Sequence, residues 1–154
     1  MIKIDDRDKQ ILKLLQEDAN QTTKQIAAKI KLSQTAVYER IKRLEREKLI
    51  TAYVALCDLE KVDKAFTVFC MVKLVNHTKE SLEHFEKDIL TLDEITECYH
   101  ISGEYDYLLK INVKNIKAYR QFMVEKLTSI PYISSTQSAF NINTVKYSTA
   151  ISLT

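Results

Sequence analysis

Glycine and proline are almost missing from this 154-residue chain: Gly103 and Pro131 are the only ones, and tryptophan does not occur. One glycine cannot write GxGxxG or GxxxxGKS/T, so glycine-loop nucleotide binding is excluded. Collagen-like and glycine-linker designs fall with it. Cysteine is scarce and unpatterned. Cys57, Cys70 and Cys98 are odd in number and no two are spaced as CxxC, so neither a disulfide framework nor a zinc ribbon is expected, and a reducing cytoplasm is. Cys70 and Cys98 sit in apolar, strand-like runs and read as packing residues. Long apolar runs are absent as well. The longest, Phe66–Leu74, is interrupted by Thr67 and Lys73 and is far short of the roughly 20 residues a membrane helix needs. Residues 1–8 are densely charged, unlike a signal peptide. Nor is there a large excess of one charge: 23 basic and 21 acidic side chains leave a net +2.

What is present is a globular balance, 45% hydrophobic and 29% charged, arranged in two halves with different periods. Asp5 or Asp6 can cap a helix running to about Glu17, with Ile11, Leu12, Leu14 and Leu15 as its apolar stripe. After a polar turn, Thr22 or Thr23 can cap a second helix with Ile26, Ala27 and Ile30 inward. Ser33 then caps a third, reaching about Lys48, in which Val37, Ile41 and Leu44 form one narrow stripe. Three short helices, the last two joined by about three residues, describe a helix-turn-helix. The β-prone run Leu49–Val54 predicts a wing strand.

From Phe66 the period becomes two. Phe66, Val68, Cys70, Val72 and Leu74 alternate with Thr67, Phe69, Met71 and Lys73, which predicts a half-buried strand. A helix follows over Thr78–Leu90, with Leu82, Phe85 and Ile89 on one face. Ile95–Ile101 and Tyr107–Val113 read as a hairpin whose link holds Gly103. Asn115 caps another helix, with Ile116, Tyr119, Met123 and Leu127 inward, and Pro131 ends it. Tyr132–Ile142 is a fourth strand and Val145–Leu153 a candidate fifth. The expected class is α+β: a winged helix-turn-helix over 1–52, a stiff or strand-like linker over 53–65, and a βαββαβ ferredoxin-like domain over 66–154.

The charge is unevenly placed. Residues 1–52 carry twelve Lys/Arg against eight Asp/Glu, and 24–48 carry eight against three. The excess sits on the last two helices of the helix-turn-helix and points to a polyanion there. Projected at the helical period, the third helix turns Thr35, Glu39, Lys42 and Arg46 away from its apolar stripe, with Tyr38 and Arg43 at the flanks. Ser33, Gln34 and Thr35 occupy the tip that meets base edges when a helix enters the major groove. Tyr38, Arg40, Lys42, Arg43 and Arg46 complete the expected duplex-DNA contact set, the cations chiefly on phosphates.

Two stretches resemble one family. Ile4-Asp-Asp-x-Asp-x-x-Ile-Leu-x-Leu-Leu15, Ile26-Ala-x-x-Ile-x-Leu-Ser-x-Thr-Ala-Val-x-x-Arg-Ile-Lys-Arg-Leu-Glu45 and Leu49-Ile50 are similar to the start of leucine-responsive/asparagine regulators (Lrp/AsnC). Cys98-Tyr-His-Ile-Ser-Gly-Glu-Tyr-Asp-Tyr-Leu-Leu109 resembles the hairpin of their effector domain. The resemblance runs from about Ile4 to Val145. It implies a transcriptional regulator that dimerises through effector sheets, often further into octamers, and answers to an amino acid or similar metabolite held between effector domains. By position it puts the effector at Gly103, Tyr105, Asp106 and Tyr107 of the hairpin, at Ser102 beside them, and at Thr136 and Ser138 of the last strand. An α-amino acid suits such a set: Asp106 can accept from its ammonium, and main-chain amides near Gly103 can receive its carboxylate. On that reading Asp106→Ala abolishes the ligand response and leaves the fold intact. The chain departs from the family at Lys31, Lys48 and Tyr132, where glycine is frequent. Either the turns differ there, or a left-handed side chain is held at a cost of about 1 kcal/mol, with Lys31 and Lys48 adding charge toward DNA.

An enzyme is not expected. His77, His84 and His100 have no HxxxH spacing, no G-x-S-x-G occurs, and Glu80, Glu83 and Glu86 read as a solvated helix face. No metal or cofactor is expected beyond the effector. The rival reading is a small-molecule-binding domain whose helix-turn-helix docks a protein. Salt separates the two, because phosphate contacts lose affinity steeply with ionic strength.

Overall fold

A computed structural model describes residues 3–153; the outermost ends of the expected 1–52 and 66–154 domains, residues 1, 2 and 154, lie outside the described residues. The chain divides into two compact units, 1–56 together with 145–154, and 57–144.

The helical unit is built from α1 (Asp6–Glu17), α2 (Thr23–Ile30) and α3 (Gln34–Arg46). Asp5 and Asp8 close a capping box on α1, each carboxylate accepting from the other's amide at 2.9 and 3.0 Å. Thr22 and Gln25 do the same for α2, and Ser33 Oγ caps α3 through the Ala36 amide at 3.2 Å. The apolar stripes meet as expected in one core of Ile11, Leu12, Ile26, Ala27, Ile30, Val37, Ile41 and Leu44. Each of the isoleucine, leucine and valine side chains contributes about 1.5–3 kcal/mol through burial. Lys31 leaves α2 in the left-handed region at φ 55°, and its amide is held by the Ala27 carbonyl. Lys48 does the same after α3 at φ 59°.

The expected wing strand is not formed. The Leu49 and Ile50 amides both donate to the Leu44 carbonyl, at 2.9 and 3.1 Å. They close the end of α3, and their side chains lie on the helical core. The expected fifth strand is also absent: Val145–Leu153 has no strand pairing among the described residues. It belongs to the helical unit instead. The Gln16 carboxamide receives the Ile151 amide at 2.8 Å and donates to the Ile151 carbonyl at 3.2 Å, and Leu153 packs on the core.

The sheet unit holds β1 (Phe66–Leu74), α4 (Lys79–Ile89), β2 (Ile95–His100), β3 (Tyr107–Val113), α5 (Ile116–Glu125) and β4 (Ile133–Phe140). The antiparallel order is β2-β3-β1-β4. Val68, Cys70, Val72 and Leu74 of β1 face one way and pack with Tyr107, Leu109 and Ile111 of β3, Phe85 and Ile89 of α4, and Tyr119 and Phe122 of α5. The opposite face is open, with Phe69 37% and Tyr99 51% exposed. Leu127 is buried as expected, but on a separate 3-10 turn, Leu127–Ser129. The expected strand-like linker over 53–65 is not a strand; residues 59–63 form a turn. Asp58 Oδ1 accepts from the Glu60 and Lys61 amides, at 3.0 and 3.3 Å, diverting backbone that a ladder would need.

Candidate functional site

The outer side of α3 is assembled from short-range geometry. Gln34 and Thr35 are exposed in its first turn, and Gln34 Nε2 donates to Thr23 Oγ1 at 3.2 Å, tying the tip of α3 to the start of α2. Tyr38 is 47% exposed. Lys42 Nζ lies 2.7 Å from Glu45 Oε2 and 5.8 Å from the Tyr38 ring centroid. The hydrogen bond to Glu45 raises the Lys42 pKa, and the same bond lowers that of Glu45. Arg46 extends furthest into solvent, with Glu47 3.9 Å away.

Arg40 and Arg43 lie elsewhere than the sequence reading expected. Both guanidinium groups turn inward to α1. Arg40 Nη1 binds Asp5 Oδ2 and Asp8 Oδ1, each at 2.7 Å, and Arg43 Nη2 binds Asp8 Oδ2. Asp8 is fully buried. An enclosed carboxylate requires such partners, so these arginines brace α3 against α1. Asp8 was missed because it reads as one more acidic residue in the first turn of α1; its place on the α1 face beside Ile11 and Leu12 is the signal that it points inward.

The hairpin residues also divide. Ser102 and Gly103 are exposed, and Gly103 has φ 140°, a conformation that side chains strain. Tyr105 donates its hydroxyl to Gln137 Oε1 at 2.7 Å, a β4 residue absent from the sequence expectation. Thr136 and Ser138 are half-buried on the helix side of β4, opposite Val72 and Cys70. Ser138 Oγ is 2.5 Å from the Tyr119 hydroxyl, whose pKa burial pushes to about 12.

Tyr107 differs from its expected role. It is 1% exposed, its ring stands 4.5 Å from Phe85, and its hydroxyl donates to Glu86 at 2.7 Å. As the first residue of β3 it points into the core. Asp106 differs as well. Oδ2 accepts the Leu74 amide at 2.8 Å and Oδ1 meets His77 Nε2 at 2.7 Å, while its own amide donates to Val72. Burial works to raise its pKa, but the Leu74 and His77 bonds prevail and lower it. Asp106 therefore pins the hairpin to the end of β1.

Among the described residues no group of three or more His, Cys, Asp or Glu is arranged to hold a metal, and no helix is long and apolar enough to cross a membrane.

A helix-turn-helix with a polar, cationic third helix, followed in the same chain by an antiparallel βαββαβ unit, defines a DNA-binding regulator rather than an enzyme. Residues 4–45 match the AsnC-type helix-turn-helix domain, and residues 67–151 match the Lrp/AsnC ligand binding domain. The chain belongs to the Lrp/AsnC family of transcriptional regulators. It is 34% identical over 145 residues to the Bkd operon transcriptional regulator of Pseudomonas aeruginosa, covering 94% of this chain and 95% of that one. It is likewise 34% identical over 145 residues to the leucine-responsive regulatory protein of Escherichia coli, covering 94% and 88%. Among solved structures, a transcriptional regulator of Neisseria meningitidis in complex with L-methionine superimposes with a TM-score of 0.93 at 28% identity, over 97% and 96% of the two chains.

Proposed function

We propose that this regulator reads duplex DNA with α3, and that an amino acid bound at its sheet unit modulates that binding. The observation that carries the DNA assignment is the outer side of α3 itself. It is capped by Ser33 and seated by Val37, Ile41 and Leu44, and it exposes Gln34, Thr35, Tyr38, Lys42 and Arg46 in a row. Gln34 and Thr35 contact bases; Tyr38, Lys42 and Arg46 contact phosphates. Arg40 and Arg43 position the helix from behind through Asp8.

The effector assignment rests on the matched ligand binding domain and on the L-methionine complex of the Neisseria relative. In this chain Ser102, Gly103, Tyr105, Thr136 and Ser138 are the contact residues, joined by Gln137, with Asp106 holding the loop in place. The chain acts in the cytoplasm as a dimer or a multiple of dimers. The open sheet face carrying Phe69 and Tyr99 is the surface a second copy covers. A two-fold dimer presents two α3 helices to major-groove segments about 34 Å apart, so its operator is roughly palindromic. Selection of bound sites from random duplexes tests the assignment. A recovered two-fold motif supports it; recovery without sequence enrichment overturns it.

A further inference from the structure

The cations on the outer side of α3 are not equally available. Arg46 is 72% exposed and stands 3.9 Å from Glu47, a loose contact. Lys42 is held at 2.7 Å by Glu45, one turn further along the same helix. That carboxylate has a second partner. The Tyr53 hydroxyl donates to Glu45 Oε1 at 3.0 Å, while Lys42 occupies Oε2. Tyr53 lies in the stretch that leads out of the helical unit, three residues before its boundary at Leu56. A short chain of contacts thus runs from that exit segment, through Glu45, to Lys42 and the Tyr38 ring.

We infer that Glu45 is the competitor that DNA phosphate must displace from Lys42, and that Tyr53 sets the strength of this competition by occupying one of the two carboxylate oxygens. The inference rests on the DNA reading of α3 and extends it to two residues outside the contact set. An ammonium held by a carboxylate has part of its charge neutralised, and a phosphate approaching the same ammonium also meets the carboxylate's repulsion. With Tyr53 bound, Oε1 is engaged and Glu45 holds Lys42 through Oε2 alone. If the exit segment moves and withdraws Tyr53, both oxygens turn to Lys42 and DNA affinity falls. A tyrosine hydroxyl titrates near pH 10, so Tyr53 is a donor at neutral pH, and partial burial and the Glu45 carboxylate raise its pKa further.

Two substitutions separate this from a passive surface pair, because they act in opposite directions. Glu45→Gln is isosteric, still accepts from Tyr53 and releases Lys42. Tyr53→Phe leaves both oxygens to Lys42. The experiment is a binding titration of full-length chains on a mixed-sequence duplex and on a duplex recovered by selection with the wild type. E45Q is expected to bind about 3- to 10-fold more tightly. That gain is absent when Lys42→Ala is combined with it. Y53F is expected to bind about 2-fold more weakly, and E45Q/Y53F returns to the E45Q value. An E45Q gain that persists in full without Lys42 means simple removal of negative charge and overturns the inference. So does E45Q binding equal to or weaker than wild type, or Y53F weakening that survives in E45Q. A wild-type chain that binds neither duplex overturns the DNA reading and the inference together; a wild-type chain that binds, beside an unresponsive E45Q, overturns the inference alone.

Discussion

The fully buried Asp8 carboxylate of α1 receives the Arg40 guanidinium of α3 at 2.7 Å. Arg43 takes its other oxygen, and Asp5, the cap of α1, shares Arg40. The helix that faces outward is therefore fixed by charges that face inward. Apolar packing alone sets how close α3 lies to α1; these bonds also set its rotation and register.

Asp8→Asn takes the shared acceptor from both arginines, whereas Arg40→Ala leaves the buried carboxylate with Arg43 alone. Asp8→Asn is expected to destabilise the helical unit by about 3 kcal/mol and Arg40→Ala by less. Equilibrium denaturation, followed by helical circular dichroism, measures it. An effect comparable to that of Lys42→Ala, a solvent-facing residue, contradicts the bracing role.

Lys31 and Lys48 hold left-handed backbone at φ 55° and 59°. Glycine adopts that region without a Cβ penalty, so Lys31→Gly and Lys48→Gly are each expected to stabilise by about 1 kcal/mol or slightly less. Each also removes a cation from the helix-turn-helix and weakens duplex binding at low salt. Thermal melts and DNA titrations on the same variants give both readings. Stability that falls on substitution contradicts the strain argument.

Asp106 accepts a half-buried backbone amide, so Asp106→Ala is expected to destabilise the sheet unit by about 1–3 kcal/mol rather than to erase a ligand response from an intact fold. The pH dependence follows from its lowered pKa. A carboxylate whose folded pKa lies below its unfolded value contributes stability that is present above about pH 4 and fades as pH falls through the folded value. Asp106→Asn flattens that acid-side loss. A variant whose stability tracks wild type between about pH 5 and pH 2 contradicts the assignment.

For the effector, a thermal-shift panel of free amino acids is expected to raise the melting temperature with at least one of them, since a ligand bound only to the native state stabilises it. Thr136→Val and Tyr105→Phe reduce that shift, and Lys42→Ala leaves it unchanged. A panel with no shift contradicts the amino-acid assignment.

The helices and strands that are strongly periodic were legible from the residues. The stripe Val37, Ile41, Leu44 is buried as its spacing predicts, and so are Val68, Cys70, Val72 and Leu74 of the alternating run, with Phe66 at its start half-buried. Caps were legible at Ser33 and Asn115, and to within one residue at Thr22, where a short polar side chain precedes an apolar period. The left-handed turns at Lys31, Lys48 and Tyr132 became visible only through the family's glycines, because lysine and tyrosine carry no local sign of positive φ.

What the residues did not reveal depends on long-range partners. A β-prone run such as Leu49–Val54 becomes a strand only if another strand meets it, and here the Leu44 carbonyl takes its first amides. Arg40 and Arg43 look like phosphate ligands until Asp8, more than thirty residues away in sequence, is seen to claim them. Tyr107 and Asp106 sit in a motif that suggests contact with a ligand, yet their side chains are committed to the core and to the hairpin.

The most direct test of the account is the base preference of α3. Binding sites are selected from random duplexes with the wild type and with Gln34→Ala and Thr35→Ala, and affinities for the winning site are followed against salt beside Lys42→Ala/Arg46→Ala. Placement of α3 in the major groove predicts a two-fold motif whose preferred bases change in the tip variants. It also predicts that the cation variant keeps the motif but binds more weakly, with a shallower salt dependence. Unchanged preference in both tip variants, together with undiminished affinity in the cation variant, contradicts the placement of α3 in the major groove.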